Sequence, residues 1–261
     1  MQANSIFTPL LMHLATDLQF PRLHLVKFVS SHLVLPGVVL GLLFVVLEGR
    51  GWDLVLSAHF YNVELHQWPY KDHWLIQRVL HKGGRWVYFS LLAVILIQFG
   101  RTWVQKSGLK PCRRALAYAF LASIAGPLMI MWLKNHTHIY CPWDLLLFDS
   151  HRPYIRFFDP VTGDLPIGHC FPAAHAGSGY AFVSLYFYFW LTHPKYRYYA
   201  LGFGLGLGGL YGFTQQMRGA HFLSHDVMSL IICWYASVTL FLLFFSRVIS
   251  WHLPKGPAGP K

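Results

Sequence analysis

From Phe28 to Leu47 the chain reads FVSSHLVLPGVVLGLLFVVL, with Lys27 before it and Glu48 after it. Twenty residues without Asp, Glu, Lys or Arg match the roughly 20 that a helix needs to cross the hydrocarbon core of a bilayer. A single stretch of this kind is also what a buried core helix looks like. The pattern recurs, however. It returns at Trp86–Gly100 (reaching Gln105 if Arg101 snorkels), at Ala115–Leu133, and at Ala176–Thr192 inside an uncharged run from Leu165 to Pro194. It returns again at Tyr198–Met217 and Val227–Ser246. Six such segments in 261 residues leave too little polar chain to cover them. The sequence therefore predicts an all-α polytopic membrane protein forming a single membrane domain. Its six transmembrane helices are expected near 28–47, 86–105, 115–133, 176–193, 198–217 and 227–246, with long outer loops at 48–85 and 134–175.

Composition agrees. Charged residues make up 12% of the chain, about half the usual soluble share, and hydrophobic residues 55%. Intrinsic disorder and a disulfide scaffold are both excluded by this balance and by only four cysteines. The formal charge of +11 leaves two readings, an anionic partner such as nucleic acid or the cytoplasmic loops of a membrane protein. With the N-terminus inside, the inner segments hold 12 basic residues and one acid, Asp17, and the outer segments 9 of each. All of the excess is on one side, as the positive-inside rule demands. Both termini are expected in the cytoplasm. No nucleic-acid partner is expected, because the inner loops are too short for a basic groove. Residues 1–27 lack a basic region before an apolar stretch and read as a cytoplasmic lead-in, not a cleavable signal. Outer loop 48–85, with Trp52, Trp68 and Trp74, is expected to contain interfacial helices. The glycines Gly202, Gly204, Gly206, Gly208, Gly209 and Gly212 follow no strand, so they read as a helix-packing surface and not as a nucleotide fingerprint.

Reactive residues gather at the outer ends of spans three to six. Lys134 closes span three, Gly168–His175 (GHCFPAAH) leads into span four, and Arg218, His221, His225 and Asp226 join span five to span six. Ionisable residues at these positions are costly, which makes them functional candidates. Lys and Arg offer fixed positive charge to a tetrahedral anion. The backbone around Ala173 and Ala174, at the start of span four, offers N–H donors and a positive dipole end. Two histidines supply a nucleophile and a proton donor. No carboxylate cluster suited to Mg²⁺ or Zn²⁺ is evident, so neither metal nor cofactor is expected. Physically this describes metal-free phosphoryl transfer through a phosphohistidine.

Lys134-x6-Cys141-Pro142, Pro172-Ala173-Ala174-His175 and Arg218-x2-His221-x3-His225-Asp226 resemble the three motifs of the type 2 phosphatidic acid phosphatase (PAP2) superfamily, which includes vanadium haloperoxidases. The family patterns are Lys-x6-Arg-Pro, Pro-Ser-Gly-His and Ser-Arg-x5-His-x3-Asp, and the resemblance covers about Gly49 to Phe245. It implies a PAP2-like bundle in which His221 takes the phosphoryl group, His175 protonates the leaving oxygen, and Lys134 and Arg218 hold the phosphate. Three departures accompany it. Cys141 stands for the motif Arg, a loss that Arg152 or Arg156 would make good. Ala173 and Ala174 replace Ser and Gly. Arg218 lies three residues before His221 instead of six, where Gln215 stands; on one helix, Gln215, Arg218 and His221 would share a face. His225 occupies the family's Asp position and Asp226 follows; a carboxylate best stabilises an imidazolium, so Asp226 is the preferred partner of His221.

The implied function is a hydrolase acting on a lipid phosphate or pyrophosphate at the outer leaflet, in a multi-pass cell membrane of bacterial inner-membrane type. Its partners would be the lipid substrate and membrane lipids. A phosphotransferase using an isoprenyl pyrophosphate donor would share the same residues. A bis-histidine haem carrier, suggested by 16 histidines, and a non-catalytic scaffold or transporter are readings from other classes. Cys141 and Cys170 both fall in the outer region, where they either pair over the site or remain thiols. Cys112 is expected to be cytoplasmic and reduced, and Cys233 to lie within span six.

Overall fold

The computed structural model describes residues 23–104, 110–161, 163–246 and 249–250. The lead-in before residue 23, the Pro/Gly/Lys tail, Gln105 and five of the inner cations (Arg22, Lys106, Arg247, Lys255, Lys261) lie outside the described residues. The fold is all-helical apart from a two-residue parallel pairing of Leu23–His24 (β1) with Ile249–Ser250 (β2).

Four helices are long and apolar enough to cross a membrane. They are α1 (Leu25–Gly49), α3 (Leu75–Val104), α4 (Lys110–Lys134, with Cys112–Lys134 as the apolar part) and α8 (Leu223–Phe245). The short helix α2 (Trp52–Ala58) and the start of α3, π-helical over Leu75–Gly83, supply the helical structure expected of loop 48–85. The α3 helix therefore begins 11 residues before the expected span.

The fourth expected span is interrupted. Helix α5 (Ala174–Tyr180) tightens into a 3₁₀ turn at Ala181–Ser184 and continues as α6 (Leu185–Thr192). The fifth, α7 (Arg197–Met217), has the length of a span, but its glycines and tyrosines dilute its apolarity.

Prolines inside two of the long helices explain specific side-chain bonds. Pro36 in α1 has no N–H to return to the carbonyl of His32, four residues earlier. The indole N–H of Trp234 donates to that carbonyl instead, at 2.8 Å. In α4, Pro127 likewise leaves the carbonyl of Ser123 without its helical donor, and the Tyr88 hydroxyl donates to it at 3.1 Å. Each substitution ties a broken helical rung to a neighbouring helix, α8 in one case and α3 in the other.

Helix α8 lies at the centre, packed by α1, α4, α5 and α7. The core around it is aromatic, with Phe182, Phe187, Phe241 and Tyr118 almost wholly buried. The outer faces carry exposed apolar side chains, among them Val38, Val39, Leu42, Val46, Phe89, Ile97, Met131 and Trp132. A water-soluble protein rarely presents such a continuous apolar surface, whereas lipid tails cover it without penalty.

The glycine series divides by face. A Cβ at Gly204 would strike the backbone of Phe182 and Val183, one at Gly208 the ring of Tyr180, and one at Gly212 the carboxyl of Asp226. Gly202, Gly206 and Gly209 have nothing within 4 Å. The four-residue spacing thus carries the close helix contact, and the intervening glycines do not.

One end of the bundle is capped by the segments 59–74 and 135–173. Tyr61, Trp68, Tyr140, Leu145, Phe148 and Phe222 form a separate apolar cluster there. Asp149 links the two segments, accepting hydrogen bonds from Tyr61 and from His66.

Candidate active site

The site forms where α7 ends and α8 begins. Helix α7 stops at Met217, and Gly219 takes a left-handed φ of +72° with the ring of Trp68 lying where a Cβ would point. Both facts require glycine there. The chain passes through extended Phe222 into α8, which leaves His221 in the turn. Gln215, Arg218 and His221 therefore do not share one helical face as expected; the glycine turn separates His221 from the other two. Gln215 does meet Arg218, accepting a hydrogen bond from Nη1 at 2.9 Å.

His221 is 6% exposed, and its Nδ1 lies 3.4 Å from Nδ1 of His225. Its Nε2 makes no hydrogen bond among the described residues. Burial, and after it the charge of Lys134, holds the His221 imidazole well below the usual histidine range, so it is neutral. For Nε2 to carry a lone pair, Nδ1 must hold the proton and donate it to His225. The buried Nε2 of His225, which has no partner, then keeps the other hydrogen.

The preferred partner of His221, Asp226, is turned away. Its Oδ2 accepts from Nε2 of Gln216 at 2.6 Å, beneath Gly212 of α7, and its buried Oδ1 is unpartnered. Adjacent residues of a helix point about 100° apart. With α8 starting at Leu223, only His225 faces the turn that carries His221.

His175, in the first turn of α5, stands on the opposite wall. Its ring stacks on Tyr211 with centroids 4.3 Å apart and meets His81 edge-on at 4.8 Å. Nε2 donates to the carbonyl of Leu80 at 3.2 Å, so Nδ1 is the nitrogen left for proton exchange. Both His175 and His81 are within electrostatic reach of His221.

Lys134 ends α4 and reaches the same space, its charge acting on His221, His225 and His81. Its ammonium makes no hydrogen bond or ion pair among the described residues. Arg218 is buried, with Nε donating to the carbonyl of Lys71 at 2.8 Å and the guanidinium over the ring of Trp143. Burial lowers its pKa from the ordinary arginine value. No carboxylate pairs with it; the two ion pairs among the described residues are His66–Asp149 and Arg156–Asp159.

Other expected phosphate ligands are engaged elsewhere. The Ala173 amide donates to the carbonyl of His225 at 3.3 Å, while the Ala174 amide has no partner among the described residues. Arg156 makes a two-pronged contact with Asp159, and Arg152 lies over Tyr140 in the cap. Neither Arg152 nor Arg156 makes a hydrogen bond to a site residue. The α3 helix supplies the additional cations. His81 is within electrostatic reach of Arg218, Arg85, Lys134 and Lys82. These positions were not singled out in the sequence. The signal for them was present: Arg78, Lys82 and Arg85 are spaced four and three apart and recur on one helical face.

Buried acids sit nearby but serve the framework. Asp53 of α2 accepts from the Ser224 amide at 3.0 Å, capping the N-terminus of α8, where its charge also opposes the helix dipole. Ser224 Oγ donates to Glu48 Oε1 at 3.0 Å, and the Phe157 amide to Oε2 at 3.1 Å. Burial raises the Asp53 pKa to about 6. The N-terminus of α8 is thus already occupied by a carboxylate and is not the seat of an anion.

Cys141 and Cys170 are joined in a disulfide, with Cα atoms 5.3 Å apart, that holds segment 135–173 against the site. Cys112 and Cys233 are free and buried.

The site is therefore a buried neutral histidine with one open nitrogen, a second histidine within electrostatic reach of it, and two cations, half-buried Lys134 and buried Arg218, that make no ion pair among the described residues. No family model, no curated protein and no solved structure matches the chain.

Proposed function

We propose that this protein is a membrane phosphatase that hydrolyses a lipid phosphate or pyrophosphate through a phosphohistidine on His221. The observation that carries the reading is the meeting of two ion-pair-free cations, Lys134 and Arg218, with an uncommitted Nε2 on neutral His221. A cation withdrawn from water without a carboxylate partner is costly unless an anion completes it. Lys134, the remaining N–H groups of Arg218 and the Ala174 amide are the donors suited to phosphate oxygens, with Arg85 adding positive potential.

In this mechanism the Nε2 lone pair attacks phosphorus and the bond to the lipid oxygen breaks. His175, which takes up a proton at Nδ1 as the anionic substrate binds, gives it to the leaving oxygen while Nε2–H stays on the Leu80 carbonyl. The phosphoimidazole is held by the Nδ1–H bond to His225. His175 then takes a proton from water, the resulting hydroxide displaces phosphate, and His221 is restored. His225 is a weaker acceptor than a carboxylate, so the rate is expected to be modest for this chemistry.

The lipid part rests on where these residues lie, at the ends of apolar helices whose outer faces suit lipid. The six-span reading is supported by two further segments. Helices α5 and α6 with their 3₁₀ link run from residue 174 to 192, about 28 Å at an α-helical rise. Helix α7 exposes Tyr199, Phe203, Leu210 and Phe213. Six spans with cytoplasmic termini put the capped end and its histidines on the outer face, as in a bacterial inner membrane.

The test is phosphate release from a panel of lipid phosphates and pyrophosphates by purified protein in detergent. His221→Ala and His175→Ala are expected to abolish it, and EDTA to leave it intact. Wild-type rates in either variant, or a requirement for divalent metal, would overturn the mechanism.

A further inference from the structure

Beside the proposed nucleophile, four ligand-type atoms crowd together. Cys141 Sγ, Cys170 Sγ and the coordinating nitrogen of His221 lie within 4.8 Å of one another. His221 Nδ1 is 3.5 Å from Cys170 Sγ, His225 Nδ1 is 3.8 Å from the same sulfur, and the two nitrogens are 3.4 Å apart. As hydrogen bonding this arrangement is poor. The single Nδ1–H between the two rings spans a long 3.4 Å, and the disulfide sulfur beside both nitrogens has no proton to give.

As a ligand set it is good. A tetrahedral zinc with nitrogens at about 2.0–2.1 Å and sulfurs at about 2.3 Å separates two nitrogens by about 3.4 Å and nitrogen from sulfur by about 3.6 Å. The three separations above agree with those edges to within about 0.2 Å. His221 and His225 also have the three-residue gap of a Cys₂His₂ site. All four residues are buried, which excludes competing water. The edges that differ are those to Cys141 Sγ, which is bonded to Cys170 Sγ and is grouped within 4.8 Å with His221 but not with His225, so this sulfur must move on reduction to complete the set.

We propose that, once the Cys141–Cys170 disulfide is reduced, this cluster binds one zinc-type divalent cation through Cys141 Sγ, Cys170 Sγ, His221 Nδ1 and His225 Nδ1. Reduction breaks the S–S bond with two electrons and two protons: a dithiol supplies both and leaves as its disulfide, whereas a phosphine supplies the electrons and water the two protons and the oxygen of the phosphine oxide. Binding of the cation then displaces the two thiol protons. Both imidazoles keep one hydrogen, on Nε2. For His221 this moves the proton from Nδ1 to Nε2 and removes the lone pair that the proposed nucleophile needs. Reduction and metal together would therefore switch off a phosphohistidine enzyme. The metal site itself does not depend on that activity.

The test uses the full chain in detergent, with Co²⁺ as the spectroscopic probe and Zn²⁺ as competitor. Reduced wild-type protein, handled without oxygen, is expected to take up one equivalent of Co²⁺. It should show the visible bands of a tetrahedral site and thiolate charge transfer, both lost on adding Zn²⁺. Oxidised protein should show neither. Cys170→Ser should lose the signal, while Cys112→Ser and Cys233→Ser keep it. X-ray absorption of zinc-loaded wild type needs no variant and should read two sulfurs and two nitrogens. A reduced wild type without stoichiometric Co²⁺ bands, unchanged bands in Cys170→Ser, or a zinc shell without sulfur would overturn the proposal.

Discussion

Two groups of cations at the capped end of the bundle look alike in the sequence and differ in the structure. Arg152 and Arg156 are in the long loop: Arg156 is neutralised by both oxygens of Asp159, and Arg152 lies over Tyr140 without acting on His221. Lys134 and Arg218 lie at helix ends, and neither has a carboxylate. A positive charge that the fold has neutralised is a structural part. One that the fold leaves open beside an uncommitted imidazole marks an anion site. Net charge cannot separate the two groups, because both belong to the segments expected outside, which sum to zero.

Substitutions test this contrast, beginning with the largest effect. His221→Ala should reduce phosphate release by about a thousandfold or more, to background, as loss of a nucleophile does. Lys134→Ala and Arg218→Ala should each cost about 10- to 100-fold in kcat/KM, equivalent to one or two charge-assisted hydrogen bonds. Arg156→Ala should stay within about threefold, since an exposed ion pair contributes under about 1 kcal/mol, and so should Arg152→Ala, which removes a ring contact in the cap. Equal losses in the two groups, read from the same assay, would break the contrast.

Stability measurements sharpen it away from the site. Gly204→Ala drives a methyl into the backbone of Val183 and should destabilise by about 1–3 kcal/mol. Gly209→Ala meets open space and should be neutral or stabilise by up to about 1 kcal/mol. Thermal melts of the two variants compare them directly. A pH-dependent effect concerns Asp53. Its folded pKa, about 6, is above the ordinary 3.8, so the folded state holds the extra proton between those values. That contribution is full below about pH 4 and is lost as pH rises through about 6. The wild-type melting temperature should therefore fall across this window, and Asp53→Asn should flatten the fall. An equal slope in both would show that another group is responsible.

Much of the fold was legible because bilayer thickness imposes a length that uncharged runs reveal. The four apolar helices fall on expected spans. The 3₁₀ break after Tyr180 was not legible, because it comes from close packing of Gly179 and Val183 against Gly208 and Gly204 of α7, a tertiary contact. At the site, the convergence of His175, Lys134, Arg218 and His221 followed from alternating helix direction. The choice between His225 and Asp226 did not. It depends on α8 starting at Leu223, and one residue of offset rotates a side chain by about 100°. His81 and Arg85 escaped notice because α3 continues 11 residues beyond its uncharged core, so cations assigned to a loop belong to a helix.

The most direct test of the account is to trap the intermediate. Purified protein is mixed with a lipid phosphate labelled on phosphorus, quenched in alkaline denaturant and digested. The account predicts an acid-labile, alkali-stable label on the peptide containing His221, absent from His221→Ala and accumulating in His175→Ala. Turnover of the lipid without any labelled protein, or an undiminished label in His221→Ala, would contradict it.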